Sequence, residues 1–276
     1  MPAKDFSARR AVFRKLHQSG CFVLPNPWDI GTSRYLAHLG FQALGTTSAG
    51  FAFSQGLSDA TVSRDQAVKH IAEIVSATDL PVNADYESGY ASSPQGVAES
   101  VRLCVETGVA GLSIEDATGD REKPLYDLPL AVERIRAARS AIDASNSGVL
   151  LTGRAECFLV GHPEPLQESI RRLEAYAHAG ADVLYAPGVR EPADIRAIVT
   201  ALRPKPVNVL MTNMKVGDLA ELGVRRVSLG SSLARAAWGG FIRAAKLLAD
   251  EGSSAGLDGA APYAELNGFF REFTKT

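Results

Sequence analysis

Short apolar runs alternate with amphipathic stretches along most of the chain. Each run is five or six residues long, is rich in Val, Ile, Leu and Ala, and is nearly continuous rather than interrupted by polar residues. Continuous apolar strands are typical of a parallel sheet that is covered on both faces. Eight such runs predict strands, at residues 21–25, 43–48, 81–86, 111–116, 149–154, 182–187, 206–211 and 226–230.

The stretches between the runs carry apolar residues three and four positions apart, which predicts helices with one buried face. Clear examples are residues 64–78, 93–108 and 128–142. Pro94 and Pro163 stand where the first turn of a helix accepts proline, and Gly108 and Gly180 follow predicted helix ends. Strands and helices that alternate eight times predict an α/β fold, a (β/α)8 TIM-type barrel, as a single domain over residues 1–276.

The last part of the chain continues beyond the eighth unit. Residues 251–261 have the composition of a linker, and a helix follows with Tyr263, Leu266, Phe270 and Phe273 along one side. A stripe that is this apolar must be covered, either by the chain's own barrel or by a neighbouring subunit. We therefore expect an extra C-terminal helix used in packing or in a homo-oligomer, with exchange of this helix between subunits as one arrangement.

Length, charge and cysteine usage narrow the class of protein. A chain of 276 residues with 46% hydrophobic and 22% charged residues suits one large barrel domain. The net charge of -2 comes without a basic stripe, which argues against nucleic acid as a partner. Neither a secretory signal nor an apolar run of about 20 residues is present, so we expect a cytoplasmic protein without a membrane partner. Cys21, Cys104 and Cys157 form no C-x-x-C pair, which indicates neither a disulfide framework nor a zinc site.

Polar residues follow the predicted strands at the end where barrel enzymes build their active sites. They are Ser48 after the second strand, Asp85 and Glu87 after the third, Glu115 and Asp116 after the fourth, and Arg154 and Glu156 after the fifth. Acids that converge in one pocket raise each other's pKa unless a cation joins them. Because only oxygen ligands are offered, the pattern indicates Mg²⁺, with Mn²⁺ as the alternative, rather than zinc.

Each of these features also has a simpler interpretation. A single acid at such a position is commonly a rim salt bridge or a helix cap. Arg154 either neutralises Glu115 or Glu156, or captures a substrate carboxylate with its bidentate guanidinium group. The five histidines fall outside these positions, which leaves a Ser-His-Asp triad without a base. Lys123 and Lys215 are the only lysines near the predicted mouth and neither lies in a strand, which argues against a Schiff-base aldolase.

Five segments together resemble the isocitrate lyase/phosphoenolpyruvate mutase superfamily. They occur in the family's order, over about residues 20–240, and they read LPNPWDIGTSRYLAHLGFQALGTTSAG, LSDA, VNADYESGYA, GLSIEDA and LTGRAECFLVG. The resemblance implies a (β/α)8 barrel and Mg²⁺-dependent chemistry on a small α-keto (2-oxo) acid.

The resemblance also implies roles for individual residues. Ser48, Ala49 and Gly50 match the segment that holds a substrate carboxylate or phosphonate, and Arg154 matches the arginine that grips the substrate carboxylate and its developing enolate. Glu115 and Ser48 join Arg154 as the expected catalytic residues. Thr46, where relatives commonly have an aromatic residue, and Asn208 are expected in the substrate pocket. The expected metal site comprises Asp85 as direct ligand with Glu87, Asp59 and Glu115.

The segment after the fourth strand departs from the family. Isocitrate and methylisocitrate lyases have a Lys-Lys-Cys-Gly-His loop there with an acid/base cysteine, whereas this chain has ATGDREKPLYDL. Phosphonate-handling relatives have Lys and Asn in the loop, and His and Ser after the sixth strand, where this chain has Arg121, Lys123 and YAPGV. Residues 117–125 nevertheless stand where the family has its gating loop, and we expect a mobile lid.

The implied function is a Mg²⁺-dependent carbon–carbon lyase or decarboxylase that acts on a small 2-oxo dicarboxylic acid through a metal-stabilised enolate. Two alternatives stay open at this point. One is a phosphonopyruvate-type hydrolase or mutase that breaks a P–C bond, and the other is an α-keto-acid-binding protein with little turnover.

Overall fold

Eight parallel strands form the centre of the fold. The computed structural model describes residues 5–274. The strands are β1 (Phe22–Leu24), β2 (Leu44–Gly45), β3 (Val82–Asp85), β4 (Gly111–Glu115), β5 (Leu150–Arg154), β6 (Val183–Tyr185), β7 (Val207–Leu210) and β8 (Arg226–Ser228). Each lies inside a predicted run, and their order in the sheet is β1-β8-β7-β6-β5-β4-β3-β2. The predicted (β/α)8 barrel is confirmed.

Helices alternate with the strands along the chain and continue after β8. They are α1 (Ser7–Leu16), α2 (Ile30–His38), α3 (Ser48–Ser54), α4 (Arg64–Ala77), α5 (Pro94–Glu106), α6 (Leu128–Ala144), α7 (Pro165–His178), α8 (Pro192–Ala201), α9 (Val216–Glu221), α10 (Ser232–Glu251) and α11 (Tyr263–Arg271), with 3-10 turns at Ala255–Leu257 and Glu272–Thr274. Pro94 begins α5 as predicted, but the prediction for Pro163 is wrong. Pro165 takes the first position of α7 because Glu164 still has non-helical dihedral angles.

Asn26 closes the barrel where β1 meets β2. The backbone N–H of Gly45 donates to the carbonyl of Pro25 at 2.9 Å, which is the hydrogen bond that joins these two edges. The Asn26 amide donates to the Thr46 carbonyl at 2.8 Å, and its Oδ1 accepts from the backbone N–H of Gly230 at 2.9 Å. One buried side chain therefore ties together the ends of β1, β2 and β8.

The barrel interior is more polar than the sequence pattern suggested. On β8, Arg226 donates from Nε to Oδ1 of Asn208 on β7 at 2.8 Å, and from Nη2 to Oγ1 of Thr152 on β5 at 3.1 Å. Because β5 and β8 are not neighbours, the second contact crosses the interior. Strands β3, β4, β5, β7 and β8 thus alternate polar residues toward the barrel axis with apolar residues toward the helices, and the expectation of continuous apolar strands is wrong for these five.

The apolar face of the sheet packs on the helices. Leu112, Ile114, Leu151, Val207 and Val209 belong to one cluster of buried residues that includes the inner faces of the surrounding helices. Among residues 5–274, no helix combines the length and the apolar character that crossing a membrane requires.

The contacts divide the chain into two compact units, residues 1–230 and residues 231–276. In the second unit, Gly256 packs so closely on α10 that a Cβ there would lie 2.6 Å from Cα of Ala244. The ring of Phe269 packs edgewise on Phe270, with centroids 4.8 Å apart. The predicted extra helix is α11. The single-domain organisation and the use of residues 251–276 in oligomer packing or helix exchange stay predictions.

The sheet–helix core generates a stability prediction. Leu112 is fully buried on β4, whereas Leu130 on α6 is 38% exposed. Leu112→Ala should lower the free energy of unfolding by about 2–5 kcal/mol, because the smaller side chain leaves a cavity, and Leu130→Ala should cost about 1 kcal/mol or less. Urea unfolding of both variants checks this, and equal losses would contradict the assigned core.

Candidate functional site

Arg154 lies at the centre of a cluster of carboxylates at the C-terminal ends of β3, β4 and β5. Its Nη1 is 2.9 Å from Oε2 of Glu115 and 3.2 Å from Oδ1 of Asp85, and its Nε donates to Oε1 of Glu156. Register explains the arrangement, since Glu115 and Arg154 are directly paired on β4 and β5. We call Asp85, Glu115, Arg154 and Glu156 the Arg154 cluster.

Ser48 and Thr46 hold Asp85 in place. The backbone N–H and the hydroxyl of Ser48 both donate to Oδ2 of Asp85, at 3.0 and 2.9 Å. The backbone N–H of Asp85 donates to Oγ1 of Thr46 at 2.9 Å. Gly50 N–H donates to the Thr47 side chain at 3.2 Å, which caps α3. The predicted carboxylate-binding segment is therefore at the site, and in this geometry the Ser48 donors serve Asp85.

Glu87 and Asp59 lie beside the Arg154 cluster. Glu87 accepts a hydrogen bond from the hydroxyl of Tyr90 at 2.9 Å, and both residues have positive φ angles, 46° and 55°. Left-handed backbone at residues other than glycine is costly and commonly occurs at functional sites. Asp59 lies at the exposed rim, where the charge of Asp85 acts on it.

Negative charge exceeds positive charge at this site. Burial lowers the pKa of Arg154, but the carboxylates of Glu115, Glu156 and Asp85 raise it well above its usual value, so the guanidinium stays protonated. Burial raises the pKa of Glu115 despite the neighbouring Arg154. Burial also raises the pKa of Glu87 to about 7, against the effect of the Tyr90 hydroxyl and with a further contribution from Asp85.

This surplus of carboxylates suits a divalent cation. The five acids near Arg154 offer only oxygen ligands, which Mg²⁺ prefers, and a second cation would offset the repulsion between their carboxylates. Within residues 5–274, no three His, Cys, Asp or Glu side chains are already arranged around a common point as metal ligands. Arg154 instead stands between Asp85 and Glu115, so the predicted ligands would have to reorient to bind a metal.

Asp116 does not join the Arg154 cluster. Its Oδ2 accepts from Nη1 of Arg172 at 3.0 Å and from the hydroxyl of Tyr176 at 2.6 Å, and its Oδ1 accepts from the backbone N–H of Glu156 at 2.9 Å. The carboxylate is thus fully occupied by partners from α7 and from the end of β5. From its position in the sequence, Asp116 was grouped with the acids that follow the strands. In the structure its side chain points away from the other acids, toward α7.

Asn208 lies in the barrel interior, away from the exposed mouth. Its amide donates to Oγ of Ser228 at 3.0 Å, and its carbonyl accepts from Arg226. On the neighbouring strand, the ring of Tyr185 packs 5.5 Å from the Arg154 guanidinium carbon. The side-chain partners of Asn208 are therefore Ser228 and Arg226, and direct contact with a substrate stays a prediction.

Arg134 is a site residue that the sequence reading missed. This fully buried side chain donates from Nη1 to the carbonyls of Ala91 and Ser92, at 2.5 and 2.7 Å, and from Nη2 to the carbonyl of Ser88. Its guanidinium carbon lies 4.0 Å from the centre of the Tyr126 ring. Arg134 thus fixes the loop that follows Glu87. An arginine among the buried positions of a helix was the available signal.

Residues 117–125, the predicted lid, form a short folded loop. A bridge joins Ala117 to Leu125, and the backbone N–H of Thr118 donates to the carbonyl of Pro124 at 3.0 Å. Lys123 forms an exposed ion pair with Asp127 at 2.8 Å. Such exposed pairs add little stability, and the mobility of the loop stays a prediction.

Comparison with known proteins gives consistent results. The sequence profile described as phosphoenolpyruvate phosphomutase matches residues 13–249. A crystal structure from Burkholderia cenocepacia J2315, to which lyase or mutase activity is provisionally attributed, is 46% identical, has a TM-score of 0.93, and covers 96% of this chain and 97% of that one. Oxaloacetate decarboxylase of Pseudomonas entomophila (strain L48) is 30% identical over 82% of this chain and 80% of its own. Oxaloacetate acetylhydrolase in complex with oxalate is 25% identical, has a TM-score of 0.86, and covers 98% of this chain and 96% of that chain.

The raised pKa of Glu87 predicts a pH-dependent stability. Between its ordinary value of 4.5 and its folded value of about 7, the folded state binds more protons than the unfolded state, so this group makes the metal-free protein less stable as the pH rises. Glu87→Gln removes this effect and keeps an acceptor for Tyr90. Relative to wild type, the variant should gain about 1–3 kcal/mol between pH 5 and pH 8.

Urea unfolding of wild type and variant in a chelating buffer, at pH 5, 6, 7 and 8, measures this difference. A difference that stays constant across the series would show that Glu87 has an ordinary pKa.

Proposed function

The chain belongs to the phosphoenolpyruvate phosphomutase family, and from that membership we propose that it is a Mg²⁺-dependent lyase for a small 2-oxo dicarboxylic acid, with decarboxylation as the favoured reaction. The Arg154 cluster carries the proposal. A protonated guanidinium among carboxylates, at the catalytic end of the barrel, offers both an anion anchor and an oxygen-ligand set for a metal.

The Arg154 guanidinium is positioned to bind a substrate. Nη1 and Nε are occupied by carboxylates, while Nη2 forms no hydrogen bond with any residue from 5 to 274. The Arg154 side chain as a whole is 17% exposed. A carboxylate or a developing enolate oxygen would receive charge-assisted hydrogen bonds from Nη2. Tyr185 packs near the guanidinium and helps to fix its orientation.

Asp85, Glu87, Asp59 and Glu115 would hold Mg²⁺, directly or through water. The ion would supply Lewis-acid stabilisation of the negative charge that grows on the 2-oxo oxygen. Ser48 would hold the Asp85 carboxylate through its two donors, and Arg154 would bind the far carboxylate of the substrate. The metal held by these acids and the Arg154 guanidinium would be two separate contacts for anionic groups, which favours a diacid over a monoacid.

The absence of an acid/base cysteine in the loop after β4 favours decarboxylation over cleavage of a hydroxy acid. Cleavage of a hydroxy acid requires a base that removes the hydroxyl proton. In decarboxylation of a 2-oxo diacid whose second carboxylate is on C3, such as oxaloacetate, the bond from C3 to that carboxylate breaks, CO₂ leaves, and the electron pair moves into the enolate. The enolate then takes a proton from water at C3. The names of two relatives also specify oxaloacetate.

The test is product analysis with Mg²⁺ and a panel of oxaloacetate, 2-oxoglutarate and phosphonopyruvate. Pyruvate and CO₂ from oxaloacetate support the proposal. Acetate and oxalate would indicate hydrolysis, phosphate from phosphonopyruvate would indicate P–C cleavage, and binding without products would indicate a binding protein. Because Mg²⁺ alone promotes loss of CO₂ from oxaloacetate, a protein-free blank is subtracted.

Arg154→Gln and Arg171→Gln form a matched pair for this assay. Both remove one arginine, but Arg171 is an exposed residue that pairs with Glu168 on α7. Product formation above the blank should disappear in the first variant and persist in the second. Equal rates in both would overturn the assignment of the site.

Asp85 and Asp116, which lie at the ends of neighbouring strands, should respond differently to replacement by asparagine. Asp85→Asn should abolish Mg²⁺ binding at millimolar concentration, because it removes the charge of the expected direct ligand. Asp116→Asn should leave Mg²⁺ affinity within about twofold and lower stability instead, because it disrupts the buried pairing with Arg172. Calorimetric titration with Mg²⁺ checks both, and unchanged affinity in Asp85→Asn would rule out Asp85 as a ligand.

The two-contact arrangement also predicts ligand preference. At fixed Mg²⁺, oxaloacetate or 2-oxoglutarate should bind about tenfold to a hundredfold more tightly than pyruvate, because pyruvate leaves one anion contact unpaired. Arg154→Lys should weaken the diacids more than pyruvate, since lysine keeps the charge but loses the planar fork. Competition calorimetry decides this. If the diacids and pyruvate bind equally well in wild type and in Arg154→Lys, metal chelation alone accounts for ligand binding.

A further inference from the structure

A second cavity lies at the opposite end of the barrel, at the N-terminal ends of the strands. It has a volume of about 200 Å³ and is lined by segments that precede β1, β7 and β8, among them His17, Arg203, Lys205 and Arg225. The end of α1 and the connections from α8 to β7 and from α9 to β8 supply these residues. The whole lining belongs to the unit of residues 1–230.

The charged side chains that line this cavity are all cationic. Arg203, Lys205 and Arg225 contribute to it without any Asp or Glu, and none of the three forms an ion pair with a residue in the described range 5–274. Lys205 Nζ donates to the Ala181 carbonyl at 2.8 Å, and Arg225 Nη1 donates to the Gly20 carbonyl. These backbone contacts orient two of the cations and leave their other N–H donors available.

A fourth cation lies behind the wall. Arg226 is buried, and its side-chain partners Asn208, Thr152 and Asn83 are neutral. Burial lowers its pKa to about 10, which still leaves it protonated at neutral pH. Its charge is therefore not cancelled within the barrel interior.

His17 separates Arg226 from the cavity and stays neutral. Its Nδ1 donates to the Phe13 carbonyl at 2.8 Å, and its Nε2 lies 3.4 Å from Nη1 of Arg226. Burial, together with the positive charges of Arg226 and Arg225, lowers the pKa of His17 to about 3. The lowered pKa of His17 thus indicates an electropositive environment at this end of the barrel.

We propose that this cavity binds a small, multiply charged oxyanion of diphosphate size, at a site separate from the reaction. Concave walls of low dielectric constant concentrate the potential of the cations, and arginine offers the paired donors that phosphate or carboxylate oxygens require. The volume admits a small anion and excludes a macromolecule. This inference is independent of the reaction assigned to the Arg154 cluster.

The probe is inorganic pyrophosphate, titrated calorimetrically into metal-free protein without a chelator. Wild type should bind it saturably with a dissociation constant below about 1 mM. The double variant R203Q/K205Q should bind at least tenfold more weakly. The matched control is Arg196→Gln, an exposed arginine on α8 outside the cavity, and it should bind like wild type.

A fourth variant separates the two ends of the barrel. Arg154→Gln should leave pyrophosphate affinity unchanged, because Arg154 lies at the C-terminal ends of the strands. Pyrophosphate should also raise the melting temperature of wild type and of Arg196→Gln, but not that of R203Q/K205Q.

Three results would overturn the proposal. They are absence of saturable binding to wild type, equal weakening in R203Q/K205Q and Arg196→Gln, and loss of binding in Arg154→Gln with retention in R203Q/K205Q. Absence of saturable binding would mean that the cations are simply solvated. Equal weakening in the two variants would mean that binding reflects the overall charge of the protein, and loss only in Arg154→Gln would mean that pyrophosphate binds at the reaction site. Circular dichroism of each variant establishes that its fold is intact.

Discussion

The excess of carboxylates around one guanidinium is the constraint on which the candidate site depends. Asp85, Glu115 and Glu156 all contact Arg154, whose positive charge offsets part of the cost of placing these acids close together. The supporting groups follow from this constraint. Ser48 and Thr46 fix Asp85 through three hydrogen bonds. Barrel geometry supplies the convergence, because adjacent parallel strands bring their carboxyl ends to one rim.

The barrel interior carries a second set of polar contacts below this rim. Arg226 connects Asn208 and Thr152 across the barrel axis, and Asn208 in turn donates to Ser228. A buried cation with neutral partners is costly, so these hydrogen bonds have to satisfy its donors. The two ends of the barrel are consequently different in charge. Carboxylates dominate the end with Arg154, and cations dominate the end with Arg225.

Much of the fold and part of the site could be predicted from sequence. All eight strands were located because buried parallel strands are short apolar runs bounded by helical patterns, and the order of the chain fixed which strand ends carry Asp85, Glu115 and Arg154. The two interpretations of Arg154 were left open, and the structure shows the pairing with acids directly. Arg134 was missed because an arginine within a helix is commonly a surface residue, and although its position on the apolar face of α6 was a signal, its backbone acceptors became known only from the structure.

By itself, the sequence determined the (β/α)8 barrel, the family and the strand ends that carry the chemistry, because periodicity and the spacing of motifs are local properties of the chain. Only the tertiary structure decided the direction of each side chain. Glu115 and Asp116 are adjacent in sequence, yet one contacts Arg154 and the other Arg172. Successive residues at a strand end point to opposite faces of the sheet, and the partners that Glu115 and Asp116 meet there lie up to 60 positions away along the chain.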